Sequence, residues 1–471
     1  MQRVVDRTDT AAVDALFEIH HETSISLRRT SYRDRRVKLR DLKKNISRYQ
    51  SKIEEAIYTD LKKSPEESRI TEIIATLIEL QFAYKHIPEW MQPRRVPTIL
   101  PLQLGKSYIK YEPKGKVLVL APWNYPFHLA LTPVISAIAA GNTVILKPSE
   151  ISENTSAVIG ELIASTFNEE EIAVVQGGVE TAQYLLSKPF DHIFFTGSPE
   201  VGRLVMASAA ENLTSVTLEL GGKSPVIVDE SADPEDAAKK IAWGKFINAG
   251  QTCIAPDYVL IHERLQKQFI IEIEKSFKRY CTKESDYTRI ISDKHYDRLI
   301  NLLEDSIEKG AHVKMIGDSR AEDRFIPPVV VTDIDTGSAI MQEEIFGPLL
   351  PVIPFSNRDE ALAFVNERPK PLMMYIFAME NKAIEEITGS TTAGSTCIND
   401  VLLHLANPHL PFGGVNTSGT GRYHGFHGFE ELSHKRSVFK QSRFGGVKML
   451  YPPYNTAKRH LINLLARYFK R

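Results

Sequence analysis

The sequence contains few cysteines, and none of them is arranged for a disulfide framework or a zinc site. There are three in 471 residues, Cys253, Cys281 and Cys397, with no CxxC pair, a pattern that is typical of the reducing cytosol. Long apolar runs are also missing, since the most apolar stretch, 129–146, is interrupted by proline, glycine and asparagine and is too short to span a bilayer. The N-terminus lacks the unbroken apolar core of a signal peptide. We therefore expect a soluble, cytoplasmic protein.

A strong charge of either sign is absent as well. The 58 lysines and arginines against 59 acidic residues give a formal net charge of -1, which excludes a global attraction to nucleic acid or to an anionic membrane. The basic run 28–44 is interleaved with Val37, Leu39 and Leu42, which favours a solvated helix face over a nucleic-acid patch. The composition that remains, 42% hydrophobic and 25% charged, is typical of a globular protein with two or three compact units.

The patterning changes twice along the chain. Residues 9–90 have apolar positions at helical spacing and are predicted to be helices, whereas 91–115, rich in proline and β-forming residues, are predicted to form a ribbon of two extended segments. From Lys116, apolar runs that stop at glycine or proline alternate with helical stretches, and a second such series follows Val259. This alternation predicts open, largely parallel α/β sheets, whose ligands bind beyond the carboxyl ends of the strands. The predicted strands are VLVLAP, TVILKP, IAVVQGG, HIFFTG and VTLELGG, then PVVV, LLPVIPF, MMYIFAM and STCIND.

The stretch 216–260 contains two residues suited to catalysis. Glu219 lies inside an apolar strand-like run before Gly221 and Gly222, and apolar surroundings raise the pKa of a carboxyl group towards that of a base active near neutrality. Cys253 follows a small, flexible segment and is a candidate nucleophile if nearby charges or dipoles stabilise its thiolate. We expect these two residues to face the same reacting carbon. Cys281 and Cys397 are interpreted as packing residues.

Further candidates follow other predicted strands. In the segment 195–202, Gly197, Ser198 and Gly202 lie where a strand leads into a helix, so free N–H groups could bind a pyrophosphate. The segment matches neither GxGxxG nor a P-loop, and a plain strand-to-helix turn explains it equally well. Lys147 and Glu150 together could bind ribose hydroxyls, or they could belong to a surface turn with a helix-capping serine.

Two more motifs have a functional and a structural interpretation. Asn124, between Pro122 and Phe127, offers an amide suited to stabilising an oxyanion, although the segment could equally be a rigid turn bracketed by prolines. In the segment 342–348, Glu344 could hold a ribose and Phe346 could cover a flat ring, or the acidic pair could face solvent. The histidines of 421–427 have no spacing typical of metal ligands and are predicted to form a loop or lid.

Taken together, these motifs resemble the aldehyde dehydrogenase superfamily, and most closely its class 3 branch of fatty and aromatic aldehyde dehydrogenases. The matching segments occur in the family's order between Pro122 and Gly425, and GQTCIAPDYV with GRYHG indicates class 3. The segments are PWNYPF, LKPSE, FFTGSPEVG, LELGGKSP, GQTCIAPDYV, EEIFGP and PFGGVNTSGTGRYHG.

The resemblance implies an α/β fold with a Rossmann-like cofactor domain, an α/β catalytic domain and a small β bridging ribbon. The implied NAD(P)-binding domain comprises 1–93 and 117–218, and the catalytic domain comprises 219–415. The bridging and oligomerisation segments are 94–116 and 416–445, and 446–471 form a C-terminal amphipathic tail.

The resemblance also implies a role for each site residue. Cys253 attacks the aldehyde carbon, Asn124 and the backbone N–H of Cys253 form the oxyanion hole, and Glu219 activates the water that hydrolyses the thioester. The implied NAD(P) contacts are Glu344 and Phe346 at the nicotinamide ribose and ring, Lys147 and Glu150 at the adenine-side ribose, and Gly197, Ser198 and Gly202 at the pyrophosphate. Tyr125 and the stretch 399–408 are expected at the substrate pocket, and no metal is expected.

The implied activity is NAD(P)-dependent oxidation of a medium- or long-chain aliphatic or an aromatic aldehyde to the acid. Acyl-transferring or reductive use of the site is disfavoured by Glu219, and a catalytically silent protein of the same fold is disfavoured by the intact Cys253 and Asn124. Many superfamily members have a lysine nine residues after the oxyanion asparagine, where this chain has Pro133, as in class 3. We predict NAD as the cofactor, with use of NADP left open, because Glu150 should repel a 2′-phosphate.

Two expectations concern assembly and the tail. The resemblance implies a homodimer. In the tail, Leu461, Leu465 and Tyr468 lie along one face among basic residues, a pattern found in interfacial membrane helices. A helix that packs on the protein is the favoured interpretation, and peripheral membrane contact is the alternative.

Overall fold

The computed structural model describes residues 9–99, 102, 104–443 and 451–470. Residues 1–8 of the predicted cofactor domain, 100, 101 and 103 of the predicted ribbon, 444 and 445 of the second bridging segment, and 446–450 and 471 of the tail lie outside the described residues. The strands are β1 Arg94–Val96, β2 Lys106–Pro113, β3 Lys116–Leu120, β4 Thr143–Lys147, β5 Ile172–Val174, β6 His192–Gly197, β7 Ser215–Leu220, β8 Pro225–Val228, β9 Tyr258–His262, β10 His312–Met315, β11 Val329–Thr332, β12 Leu349–Phe355, β13 Met373–Phe377, β14 Ser395–Ile398, β15 Gly419–Thr420 and β16 Ser433–Lys440.

The helices begin with the predicted N-terminal group and then alternate with the strands. They are α1 Thr10–Leu27, α2 Tyr32–Leu61, α3 Pro65–Ser68, α4 Ala75–Trp90, α5 His128–Ala140, α6 Glu153–Ala164, α7 Val179–Leu186, α8 Pro199–Glu211, α9 Pro234–Phe246, α10 Glu263–Tyr280, α11 Asp293–Glu308, α12 Ala339–Gln342, α13 Arg358–Asn366, α14 Asn381–Ser390, α15 Gly425–Glu431 and α16 Thr456–Tyr468. A π-helical turn, Arg69–Ile74, connects α3 to α4.

Helix α2 shows why the basic run near the N-terminus is structural. It begins at a capping box in which Ser31 and Asp34 each bind the other's backbone N–H, an arrangement that satisfies donors at a helix start. Its apolar stripe, including Leu42 and Ile46, is fully buried, whereas Lys38 on another face forms an ion pair with Glu171 at 2.7 Å. The helical prediction for 9–90 is therefore confirmed.

The first series of strands forms a six-stranded sheet in the order β15-β7-β6-β3-β4-β5. Strands β3 to β7 are parallel, and β15 joins antiparallel to β7. β3 and β4 are buried along their whole length, as expected of central parallel strands covered on both faces. Because β3 pairs with β4 on one side and with β6 on the other, the strand order reverses there, which is where such sheets bind ligands.

The second series forms a seven-stranded sheet in the order β10-β11-β12-β9-β8-β13-β14. All neighbouring pairs are parallel except β10 with β11. The predicted α/β class and all nine predicted strands are confirmed. Which residues belong to which domain stays a prediction, because sheet membership does not fix domain boundaries.

A third, antiparallel sheet has the order β1-β2-β16. Its first two strands are the predicted extended segments. The sequence does not predict β16, because only Ser433 of its eight residues is buried, so the strand has no apolar alternation. It pairs with β2 over its whole length, from Ser433 opposite Pro113 to Lys440 opposite Lys106.

The tail forms the predicted amphipathic helix, α16, and its packing on the protein stays a prediction. None of its residues is buried, and Leu464 and Tyr468 are more than half exposed. The apolar period of a sequence predicts a helix with an apolar face, but it does not specify which surface covers that face. Within the described residues, no helix is both long and apolar enough to cross a membrane.

Candidate active site

The predicted site residues of the first series gather at one edge of the six-stranded sheet. Lys147 ends β4, Asn124 lies just after β3, Gly197 ends β6, and Glu219 lies near the end of the neighbouring strand β7. Because these parallel strands are adjacent in the sheet, their carboxyl ends bring the four residues together around the point where the strand order reverses.

Cys253 is presented by a loop of unusual backbone between α9 and β9. Asn248 and Ala249 have φ of 53° and 50°, and Gly250 has φ of 72°, where left-handed geometry favours glycine. A Cβ on Gly250 would also collide with the carbonyl of Gly347. The buried side chain of Gln251 fixes this loop, because its amide donates to the carbonyls of Asn248 and Arg289 at 3.0 Å each.

The Cys253 thiol is an acid that resists ionisation in this environment. Burial raises the pKa of Cys253 above its ordinary value, and the carboxylates of Glu344 and Glu219 raise it further. A thiolate therefore forms here only when a base removes the proton or when a positive charge arrives nearby.

Glu219 is buried without hydrogen bonds to its carboxyl group within the part of the chain that the structure describes. Neither of its carboxylate oxygens has a hydrogen-bond partner among the described residues, and its side chain is 3% exposed. Burial raises the pKa of Glu219 well above its ordinary value, and Arg422 lowers it only in part. The direction is the one predicted from the apolar run around this residue. An unpaired carboxyl group with a raised pKa is suited to exchanging a proton with a water molecule.

Asn124 connects its turn to the Cys253 loop. Its amide Nδ2 donates to the carbonyl of Gln251 at 3.1 Å, and its own carbonyl accepts from Nδ2 of Asn248 at 2.9 Å. The next residue continues the contact, since the Tyr125 hydroxyl lies 2.8 Å from Oγ1 of Thr252. The amide of Asn124 is thus held beside Cys253 and has a second hydrogen for an oxyanion.

Lys147 and Glu150 pair with each other at the end of β4. The Lys147 ammonium lies 2.8 Å from Oε2 of Glu150, with side-chain exposures of 6% and 36%. The carboxylate therefore faces outward beyond the strand, where a ribose could reach it. This pair belongs to the sheet edge, so the interpretation as an ordinary surface turn is wrong for Lys147.

The turn from β6 into α8 has both a binding and a packing explanation. Ser198 caps α8 by accepting from the backbone N–H of Val201 at 3.3 Å, which leaves other N–H groups of the first turn without intrahelical partners. Gly202 packs α8 against β7, because a Cβ there would lie 2.6 Å from Leu220. Gly202 therefore contributes to this packing independently of any ligand.

The two acidic residues before Phe346 have different surroundings. Glu343 is exposed and pairs with Arg298 at 2.7 Å, whereas Glu344 accepts the backbone N–H of Gly222. Burial and the nearby Asp257 raise the pKa of Glu344 to about 8. Phe346 adopts φ of 49° and packs edge-on against Trp123 with ring centroids 5.4 Å apart. The solvent-facing interpretation is thus right for Glu343 and wrong for Glu344.

One cavity of about 300 Å³ includes Cys253 and Glu219, and Tyr125 and Thr252 also contribute to its wall. Its lining is otherwise largely apolar, with contributions from Ile70, Ile74, Ile78, Leu129, Trp243, Ile254, Leu403, Leu405 and Phe412. The two residues predicted to face one reacting carbon therefore share a cavity. The sequence predicts helices for the region that contains the first three isoleucines but does not assign them to the pocket, so their place in the cavity wall was missed.

The comparison with protein families agrees with this geometry. The model of the aldehyde dehydrogenase family matches residues 3–438. The chain belongs to the aldehyde dehydrogenase family. The resemblance deduced from the motifs is thereby confirmed.

Relatives within the family cover nearly the whole chain. The 4,4'-diaponeurosporen-aldehyde dehydrogenase of Staphylococcus aureus is 47% identical over 89% of this chain and 92% of its own length. The dimeric NADP-preferring aldehyde dehydrogenase of Mus musculus is 42% identical over 88% and 92%. A solved structure of Staphylococcus aureus AldH in a substrate-bound state has a TM-score of 0.92 at 43% identity, covering 96% of this chain and 99% of that one.

These findings establish the general activity. The protein is an aldehyde dehydrogenase that oxidises aldehydes with NAD(P), and its fold is that of the family. The histidines of 421–427 are only partly the loop or lid that we expected, because His424 is buried in the cavity wall. Sequence reasoning also missed Asn248 and Gln251. The side chain of Asn248 joins the Asn124 turn to the Cys253 loop, and the side chain of Gln251 fixes the Cys253 loop. Both are amides in loop sequence, where no periodicity distinguishes them from solvent-facing residues.

Proposed function

We propose that Cys253 is the nucleophile of this aldehyde dehydrogenase, that Asn124 stabilises the oxyanion and that Glu219 activates the hydrolytic water. The observation that carries the proposal is the single cavity that contains both Cys253 and Glu219. The amide of Asn124 is bound to the carbonyl of Gln251, two residues before the thiol, which supports its role at the same reaction centre.

In the proposed reaction, the Cys253 thiolate forms a bond to the aldehyde carbon, and the oxygen becomes an alkoxide held by Asn124 and the N–H of Cys253. NAD(P), when bound, would accept the hydride from this carbon. Oxidation leaves a thioester on Cys253. Glu219 then takes a proton from water, the resulting hydroxide attacks the thioester carbon, and the carbon–sulfur bond breaks to release the acid and restore the thiolate. A carboxyl group placed for this last step favours hydrolysis over acyl transfer.

The residues around the site fit NAD(P). The Glu344 carboxyl group and Phe346 would hold the nicotinamide ribose and ring, and Lys147 with Glu150 would bind the adenine-side ribose. The first turn of α8, with Gly197, Ser198 and Gly202, would face the pyrophosphate. An outward carboxylate at Glu150, 36% exposed, is suited to accept hydrogen bonds from ribose hydroxyls.

We propose NAD as the preferred cofactor, with NADP as a poorer alternative, because the negative charge of Glu150 would repel a 2′-phosphate. The murine relative is named for a preference for NADP, so the test is direct. Initial rates over a range of each cofactor should give a higher kcat/KM with NAD. Equal efficiency with both cofactors would contradict the preference.

The substrate class follows from the cavity wall. An apolar lining favours medium- or long-chain aliphatic or aromatic aldehydes, and the staphylococcal relative is named for 4,4'-diaponeurosporen-aldehyde. Hexanal, longer aliphatic aldehydes and benzaldehyde should be compared by kcat/KM. We expect efficiency to rise with aliphatic chain length, and a preference for short polar aldehydes would contradict the proposal.

The decisive experiment is NADH formation with hexanal by the purified chain and by Cys253→Ser. Formation by the natural chain and its loss in the variant would support the proposed nucleophile, whereas persistent turnover would exclude it.

We further propose a cytoplasmic homodimer in which the β1-β2-β16 sheet contributes to the interface. Gel filtration that gives a monomer would contradict the dimer. Liposome flotation with and without 446–471 tests peripheral membrane contact.

A further inference from the structure

A buried ion pair lies directly behind the turn that contains Asn124. Lys63, just after α2, and Glu72, in the π-helical turn, have Nζ and Oε1 2.8 Å apart, and both side chains are 0% exposed. Burying two charges is costly, and an apolar pair of similar volume is often as stable. Stability alone therefore does not explain an ion pair in this position.

The contacts of the pair reach the middle and the end of the turn between β3 and α5. Oε2 of Glu72 accepts the backbone N–H of Phe127 at 2.9 Å and that of His128 at 3.3 Å. Since α5 begins at His128 without a cap from the side chain of Phe127, Glu72 supplies the acceptor that the helix start requires. The carboxylate thereby fixes the end of the turn that follows Asn124 and Tyr125.

Lys63 acts on the middle of the same turn. Its Nζ lies 3.5 Å from the carbonyl oxygen of Asn124 and 4.2 Å from the centre of the Tyr125 ring. The ammonium thus touches the residue whose amide faces the Cys253 loop, and Glu72 holds the ammonium in place. The π-helical turn that carries Glu72 also provides Ile70, Thr71 and Ile74 to the cavity wall, and such turns recur at functional sites.

We propose that Lys63 and Glu72 are positioning residues that hold the Asn124 amide in register with the substrate oxygen at Cys253. The assignment rests on the proposed role of Asn124. Its physical basis is that a misplacement of a catalytic donor by about 1 Å can lower a rate by roughly a hundredfold. Neither Lys63 nor Glu72 lines the cavity, so the proposed effect passes through Asn124.

The test is a double-mutant cycle on the pre-steady-state burst of NADH with hexanal. Glu72→Gln keeps the size of the side chain and removes its charge, and Lys63→Met removes the ammonium. Each should slow the burst by about ten- to a hundredfold in the natural chain. In the Asn124→Ala background, each should slow it less than about twofold, because the donor that they position is gone.

Asp229→Asn is the matched control. Asp229 is also a buried carboxylate that binds a cation and a backbone N–H, Arg358 at 2.9 Å and Ser231 at 3.1 Å, but it belongs to the seven-stranded sheet and does not line the cavity. It should lower the melting temperature and leave the burst rate unchanged. The dissociation constant of NAD, measured by fluorescence, should be unchanged in all variants.

The outcomes separate the two proposals. An equal loss in both backgrounds, or an unchanged burst in Glu72→Gln and Lys63→Met, would overturn the positioning role alone. A burst unaffected by Asn124→Ala would remove the oxyanion role from the proposed function, and the positioning role would fall with it. If a variant does not fold, Lys63→Arg, which keeps the charge and displaces it, replaces it in the same cycle, with the same two outcomes.

Discussion

Two buried glutamates near the reaction centre have opposite surroundings. Glu72, in the π-helical turn, faces a lysine and two backbone N–H groups. Glu219, on β7, has no hydrogen-bond partner among the described residues, and burial raises its pKa well above the ordinary value. The side chains are chemically identical and the residues are exposed by 0% and 3%, so the two glutamates differ only in the groups that surround them.

The difference indicates how one fold assigns carboxyl groups to separate tasks. A carboxylate bound by a cation and two N–H donors is held in a single orientation, which suits it to fix a turn. A carboxyl group without partners is energetically unfavourable when ionised and gains by exchanging a proton with water or substrate. The presence of hydrogen-bond partners, rather than burial itself, distinguishes the structural Glu72 from the candidate base Glu219.

The largest expected difference is in deacylation. Glu219→Gln should slow thioester hydrolysis by about 10²–10⁴-fold, the usual contribution of a general base, and should leave a burst of NADH equal to the enzyme concentration. Stopped-flow absorbance with hexanal measures both phases. If the burst also disappeared, Glu219 would be required to activate the thiol as well, and its role would no longer be confined to the second half of the reaction.

The second difference concerns stability, for which substitution of Glu72 should have a larger effect than substitution of Glu219. Glu72→Leu leaves Lys63 as an uncompensated buried charge and should destabilise the protein by about 3–5 kcal/mol, whereas Glu219→Gln should not destabilise it. Urea unfolding followed by fluorescence compares the two. Equal destabilisation would contradict the view that Glu72 is satisfied and Glu219 is not.

The two residues also differ in how far the sequence predicts them. Glu219 was identifiable because a charged residue interrupts an apolar strand just before two glycines. Lys147 and Asn124 were identifiable because they are polar residues at or just after the ends of apolar runs. The strands themselves were predictable, since apolar runs and the glycines or prolines that end them are local properties of the sequence. For this reason the six-stranded sheet and its ligand-binding edge follow from the sequence.

Glu72 was not identifiable as a contributor to the site. In sequence it is one of several acidic residues in a helical region. Its partners, Lys63 and the N–H groups after Asn124, are set by how α2, the π-helical turn and α5 pack. The same limit applies to Gln251, to β16 and to the surface expected to cover α16. Long-range packing determines these features, and no local pattern records it.

A smaller effect is expected in the pH dependence of turnover. Glu219 must be ionised to take a proton from water, so steady-state turnover limited by deacylation should rise with pH through a pKa above the ordinary range of a glutamate. In Glu219→Gln this rise should be absent from the residual turnover. Rates with hexanal at constant ionic strength, from mildly acidic to mildly alkaline pH, measure it. A rise that persisted in the variant would belong to another group, and Glu344, with a pKa of about 8, is the first candidate.

The smallest effect is a pH-dependent gain of stability in Glu219→Gln. Because the pKa of Glu219 is raised by folding, the folded chain binds this proton more tightly than the unfolded chain does. The natural protein therefore loses stability as pH rises from the ordinary pKa of a glutamate towards the folded pKa. The amide that replaces the carboxyl group cannot ionise, so the variant should be more stable than the natural chain near neutrality and equal to it at acidic pH. Melting temperatures at both pH values measure the difference, and a gain that was the same at both would trace to packing instead of the proton.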